Sequence, residues 1–237
     1  MLTDYRYSHL GKGVDYDRDL AVGLDRYFSD REQALLSKII PGLFPAGVPR
    51  YVDFACGTGR ITCLVETMAD ESWGLDVSPT MIEEAKRKCS RARFVVGDAT
   101  REPLPMAPVD LVTAFRFFGN AEDELRLAAL EAIRRLLRIG GYLILNNHRN
   151  LWSLHRLLTR NHRMGAGISQ RRLKSILGAH GFEIVRSYGI AIWYLRYRFA
   201  DTDALPPRLI RLAERLSVIP LMDTICPDSV IVARRVR

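Results

Sequence analysis

A chain of 237 residues, 48% apolar and 26% charged, has a globular composition and enough length to bury a sizeable core. No stretch approaches the ~18 uninterrupted apolar residues of a membrane-spanning helix, and the four cysteines form no C-x-x-C pair, which argues against a disulfide framework. The net charge of +8 is uneven: residues 1–148 hold 19 Lys and Arg against 21 Asp and Glu, whereas residues 149–237 hold 16 against 6. That basic half suits an anionic substrate, a lipid surface or nucleic acid, or is simply a solvated arginine-rich face. The first residues lack the basic start and apolar core of a signal peptide, so a cytoplasmic protein is expected.

Taken in chain order, residues 10–17 are turn-rich, and helices are predicted around 20–28 and over 32–40, the second stopped by Pro41 and Gly42. Residues 51–54, with Tyr51, Val52 and Phe54 around Asp53, suit a short buried parallel strand. In the run 55–59 the small residues Ala55, Gly57 and Gly59 permit a tight turn and a close ligand approach, and 61–65 resume a helical pattern. Strand, glycine loop and helix start together make a nucleotide-sized crevice. A second strand, 73–78, carries Asp76 near its end; in nucleotide-binding α/β folds a carboxylate there accepts hydrogen bonds from the ribose hydroxyls. Ser78 then suits a helix N-cap and Pro79 the first turn. The third strand, 94–99, brings Asp98 within reach of an adenine amino group.

A proline-broken loop at 101–105 leads to a fourth strand at 109–115, a helix at 122–138 and a fifth strand at 141–147. Further on, a helix is predicted over 151–158, a basic loop over 160–167, a helix from Ser169 to Gly178 or beyond, and a strand over 182–188. A helix from Pro207 and a last strand over 229–233 follow. The position three after Gly59 is Thr62, not the glycine of a dinucleotide fingerprint, and no G-x-x-x-x-G-K-[ST] loop argues for a nucleoside triphosphate.

Residues 53–59, 74–78, 97–100, 109–115 and 136–145 resemble, in order and at the right intervals, the motifs of class I S-adenosylmethionine-dependent methyltransferases. The resemblance implies an α/β, doubly wound, mostly parallel seven-stranded sheet with an antiparallel last strand, a Rossmann-like methyltransferase fold. Residues 1–50 would be a helical lid and 51–237 the methyltransferase domain, with 190–227 an inserted substrate cap. S-adenosylmethionine is the implied cofactor, held by Asp53, Ala55, Gly57, Gly59, Asp76, Val77, Met81, Asp98, Ala99 and Phe115. Ala55 stands where the family usually has glycine, a change expected to be tolerated. Met81 is equally readable as plain core.

For the substrate side, Tyr16, Arg116, Phe118, Asn120 and Trp193 are the candidates, with Tyr16 also readable as an aromatic pin on the sheet. His148, after the fifth strand, is the candidate base; a structural role for it stays open. The expected reaction is methyl transfer to an oxygen or nitrogen of a small-molecule metabolite, anionic or amphipathic. The alternative is an RNA methyltransferase docking through the basic half, although no appended RNA-binding module is visible. No metal is expected, and the sequence does not address oligomeric state. The amphipathic helix from Pro207 reads as packed on the sheet, with peripheral membrane contact as the other reading.

Overall fold

The computed structural model describes residues 5–7, 11, 13–159, 167–193 and 207–237. The sheet is built from β1 (Val48–Phe54), β2 (Ala69–Asp76), β3 (Arg93–Val96), β4 (Val109–Ala114), β5 (Leu137–Asn146), β6 (Phe182–Ile190) and β7 (Asp228–Arg235). Their order is β3-β2-β1-β4-β5-β7-β6. β1 pairs in parallel with β2 on one side and β4 on the other, and β7 lies antiparallel between β5 and β6. The chain therefore winds outward one way through β2 and β3 and the other way through β4 and β5. The reversal between β1 and β4 opens a crevice at the strands' carboxyl ends.

Side chains alternate across the sheet, and both faces are covered. Val52, Phe54, Leu143, Leu145, Ile231 and Ala233 join one core with α5 (Asp123–Leu136) and α7 (Gln170–Ala179). Tyr51, Ile144, Val230 and Val232 join the other, with α2 (Gly23–Leu43) and α3 (Arg60–Val65). The other α-helices among the described residues are α1 (Gly13–Leu20), α4 (Pro79–Lys88), α6 (Leu154–Thr159) and α8 (Pro207–Ser217).

Several local expectations are corrected. The turn-rich reading of 10–17 gives way to α1, and the two predicted helices after it are one continuous α2. Pro41 does not stop that helix because it sits in the last turn, where its missing N–H costs one bond while Ile39 and Ile40 still extend the buried face. α5 runs directly into β5 at Leu137 without a loop. Cys63 and Cys89 form a disulfide, against the sequence expectation of none. Residues 160–166 of the basic loop and all of the aromatic run after Trp193 lie outside the described residues.

Gly59 caps α3 in the left-handed region at φ +80°, and a Cβ there would lie 2.9 Å from Cys89 Sγ and 3.0 Å from Ala85 Cβ. α3 and α4 approach closely only because this position has no side chain. Gly59→Val is expected to lower stability by about 3 kcal/mol, from left-handed strain and overpacking together. Urea unfolding measures this, and an unchanged midpoint would contradict it.

Candidate active site

A cavity opens at the switch point. From the loop after β1 it takes Ala55 and Gly57, and from the end of β2 it takes Asp76, Val77 and Ser78, with Met81 from α4. Asp98 and Ala99 come from beyond β3, and Phe115, Arg116 and Phe117 from beyond β4. Gly57 has φ +54° and open space where a Cβ would project, so the loop leaves room for a ligand against its backbone. Ala55 also has φ +56°, which explains why glycine is favoured there: the methyl group carries a strain of about 1 kcal/mol.

Asp76 is positioned by the backbone. Its Oδ2 accepts the Gly57 N–H at 2.8 Å and its Oδ1 accepts the Ser78 N–H at 2.9 Å. Each oxygen keeps a further lone pair for a hydroxyl. Burial pushes the Asp76 carboxyl upward, against the N–H groups of Ser78, Gly57 and Val77. Asp98 accepts the Thr100 N–H and hydroxyl at 2.9 and 2.5 Å, and pairs with Arg6 at 3.0 Å. Tyr5 donates its hydroxyl to the Arg116 carbonyl at 2.9 Å, so the short turn Tyr5–Tyr7 brings Tyr5 and Arg6 into the cavity lining.

Next to the cavity lies a buried polar network that the sequence reading did not assemble. Glu32, fully buried in α2, pairs with Arg60 at 2.7 Å and accepts the Asn146 amide at 2.7 Å. Asn146 in turn accepts the Arg116 N–H at 2.6 Å, which holds Arg116 at φ +57°. The Arg116 guanidinium meets Asp25 at 2.7 Å. Burial works against this cation, but the Glu32 and Asp25 carboxylates outweigh it and raise its pKa. Asp228, fully buried at the start of β7, lies 3.0 Å from His148 Nδ1 and 3.4 Å from the Asn146 amide. The His148 ring also packs edge-on against Phe28 at 5.7 Å. One signal for Glu32 was available: it is a carboxylate on the apolar stripe of Phe28, Leu35 and Ile39. Asp228 gave none, since an acidic residue before a strand is commonplace.

Most predicted cofactor residues line the cavity, but two do not. Asp53 is buried beneath the loop, where it accepts the hydroxyls of Thr62 and Thr113 at 2.7 Å each, and Gly59 serves helix packing. Among the substrate candidates, Tyr16 and Arg116 line the cavity. Phe118 does not: it is fully buried in the core, and Phe117 takes the cavity position instead. Asn120 is turned to the Arg116 carbonyl at 2.6 Å. Trp193 donates to Glu214 at 2.9 Å and packs on Tyr27 at 5.3 Å, so it fastens α8 to α2 rather than facing the cavity. His148 stands outside the cavity lining, joined to it through Asp228, Asn146 and Arg116.

This arrangement is a doubly wound α/β sheet with its cavity at the strand-order reversal, the place where such sheets hold ligands. Residues 52–141 match the family model described as a methyltransferase domain. A demethylmenaquinone methyltransferase of Thermotoga maritima is 30% identical over 131 residues, 54% of this chain and 53% of that one. A trans-aconitate 2-methyltransferase of Methylobacterium radiotolerans is 33% identical over 118 residues, 48% of this chain and 44% of that one. These matches span about half the length of the curated relatives. In fold, the chain is similar to magnesium protoporphyrin IX methyltransferase of Synechocystis PCC 6803 with bound S-adenosylhomocysteine (TM-score 0.65, 16% identity, 97% of each chain covered). Residues 52–141 are thus similar to a methyltransferase domain, and the chain as a whole shares the fold of a solved methyltransferase.

Burial holds the Asp53 carboxyl up at about 6 despite the hydroxyls of Thr62 and Thr113. A folded pKa above the unfolded value of about 3.9 contributes stability that is complete below about pH 4 and lost as pH rises through about 6. Relative to Asp53→Asn, the wild type is expected to lose on the order of 3 kcal/mol between pH 4 and pH 7. Urea unfolding of both proteins across that range gives the difference, and a pH-independent one would refute the assignment.

Proposed function

We propose that this chain transfers a methyl group from S-adenosylmethionine to an oxygen or nitrogen of a small molecule. The observation that carries the reading is the convergence of Gly57, Asp76 and Asp98, from three neighbouring strand ends, on one cavity. The donor set fits the cofactor. Asp76 keeps acceptor capacity for two ribose hydroxyls, Met81 offers an apolar wall and Asp98 a partner for an adenine amino group, and the open face of Gly57 admits the rest. When bound, the sulfonium supplies an electrophilic methyl group, so the protein's work is alignment and exclusion of water.

The turn Tyr5–Tyr7 and Tyr16 supply that exclusion as a lid over the cavity, while α2 serves as a structural helix of the sheet. Residues 190–227 are the candidate cap. Arg116, its charge matched by Asp25 and Glu32, and Tyr16 give the cavity a hydrogen-bonding end that suits an acceptor bearing a polar oxygen. Relatives named for demethylmenaquinone and trans-aconitate fit a small-molecule acceptor. His148 is the proposed base. With Nδ1–H donating to Asp228, its Nε2 is left to take the acceptor's proton, and Asp228 fixes tautomer and ring orientation.

Calorimetric titration with S-adenosylhomocysteine tests the cofactor site. Asp76→Ala is expected to weaken binding by about a hundredfold, the loss of charged hydrogen bonds to both hydroxyls. Undiminished binding by that variant would overturn the reading. Methyl-labelled cofactor added to a metabolite extract identifies the acceptor. With that acceptor, His148→Ala should lower kcat about a hundredfold while leaving S-adenosylhomocysteine affinity intact. Asp228→Asn should lower it less and shift the pH profile; equal loss of cofactor affinity in both would instead mean a structural role.

A further inference from the structure

α8 packs on the sheet edge with only part of its apolar surface. Its inward side sets partly buried Ile210 and Ala213 beside two polar anchors: Glu214 accepts the Ala191 N–H and the Trp193 indole N–H at 2.9 Å each and the Tyr27 hydroxyl at 2.6 Å, and Ser217 accepts the Ile192 N–H at 3.3 Å. Glu214 and Ser217 are buried, whereas Leu209, Leu212 and Leu216 are 52, 55 and 47% exposed. Successive helical residues turn by about 100°, so these leucines fall within about 60° of one another as one stripe. Arg208, Arg211 and Arg215, all exposed, form a second stripe beside it on the side away from the buried face. Past the helix, Ile219 and Leu221 prolong the apolar surface, Leu221 at 74% exposure. Exposed Trp152 stands on the adjoining loop, where Asn150 donates to the carbonyls of Thr224 and Cys226.

An amphipathic helix ordinarily turns its leucines to its own core. Here that side is filled by Ile210, Ala213 and the hydrogen-bonded Glu214 and Ser217, and the three leucines face outward beside a row of cations. We propose that α8 docks on an anionic phospholipid bilayer, with the leucine stripe at the acyl-chain boundary and the arginines at the lipid phosphates. Charge complementarity selects this occupant: the half of the chain containing α8 holds 16 Lys and Arg against 6 Asp and Glu. The only acidic residue of α8, Glu214, is buried, so a second copy seated on this face would set arginine rows together with no carboxylate from α8 to pair them. RNA would use the arginines but leave the leucines in water. The inference is independent of the acceptor's identity and goes beyond the proposed reaction, since docking is measured without turnover.

Co-sedimentation of the full chain with vesicles of phosphatidylcholine, alone or mixed with phosphatidylglycerol, tests it. The wild type should partition onto the anionic vesicles at least about tenfold better than onto the neutral ones, and high salt should weaken that binding. Leu212→Ser/Leu216→Ser and Arg211→Ser/Arg215→Ser should each reduce partition about tenfold, with circular dichroism and S-adenosylhomocysteine binding unchanged. A single Leu212→Trp variant gives an independent reading, an added blue-shifted emission on anionic vesicles only. The proposal is overturned if the wild type stays in the supernatant at low salt, or if the leucine double variant binds as well as the wild type. It is equally overturned if the leucine changes break a dimer, or the arginine changes abolish RNA binding, in a protein that ignores vesicles.

Discussion

Parallel pairing on both sides of β1 is the constraint from which the rest follows. A strand hydrogen-bonded in parallel to β2 and to β4 must be joined to each by a crossover, and right-handed crossovers place helices on both faces of the sheet. The carboxyl ends of the parallel strands then share one edge, and where the winding reverses no helix crosses that edge. The crevice is a geometric by-product of the topology, and its lining is whatever the β1, β2, β3 and β4 loops carry. Here they carry small residues, two aspartates and a β4 exit held open by left-handed backbone at Arg116.

Maintaining that backbone requires the second layer. Glu32, Arg60, Asn146, Arg116 and Asp228 are mostly buried and come from α2, α3, β5, the β4 exit and β7, so their pairing is a property of the assembled sheet. Buried charges of this kind are tolerated only when each finds a partner, since removing one leaves the next unpaired at several kcal/mol. The network also links the cavity to His148, whose orientation is decided by Asp228 on the antiparallel strand. Placing β7 between β5 and β6 is therefore what brings the carboxylate and the imidazole together.

The proposed docking of α8 would account for part of the basic excess in the second half of the chain. A helix anchored through Glu214 and Ser217 needs no leucines inward, and the arginines that accompany them need no internal partner. The same physical preference, apolar groups away from water and cations near anions, that organises the interior would there organise contact with a lipid surface.

Sequence alone determined the strands of the sheet and much of the lining of the crevice, because these depend on local patterns. Apolar runs bounded by glycine, and aspartates at strand ends, are read within about ten residues of chain. Asp76, Asp98 and Gly57 were legible for that reason. Tertiary structure alone decided that Asp53 lies under the loop, that Phe117 and not Phe118 faces the cavity, and that Trp193 and Asn120 serve packing and the Arg116 carbonyl. Neighbouring phenylalanines on a loop carry no periodic signal to say which points inward. Partners such as Glu32 with Arg60, Cys63 with Cys89 and His148 with Asp228 are joined only by folding, and no spacing rule encodes contacts between distant elements. The outward leucines of α8 belong to the same class: periodicity shows that a helix has two faces, and only its neighbours decide which one is buried.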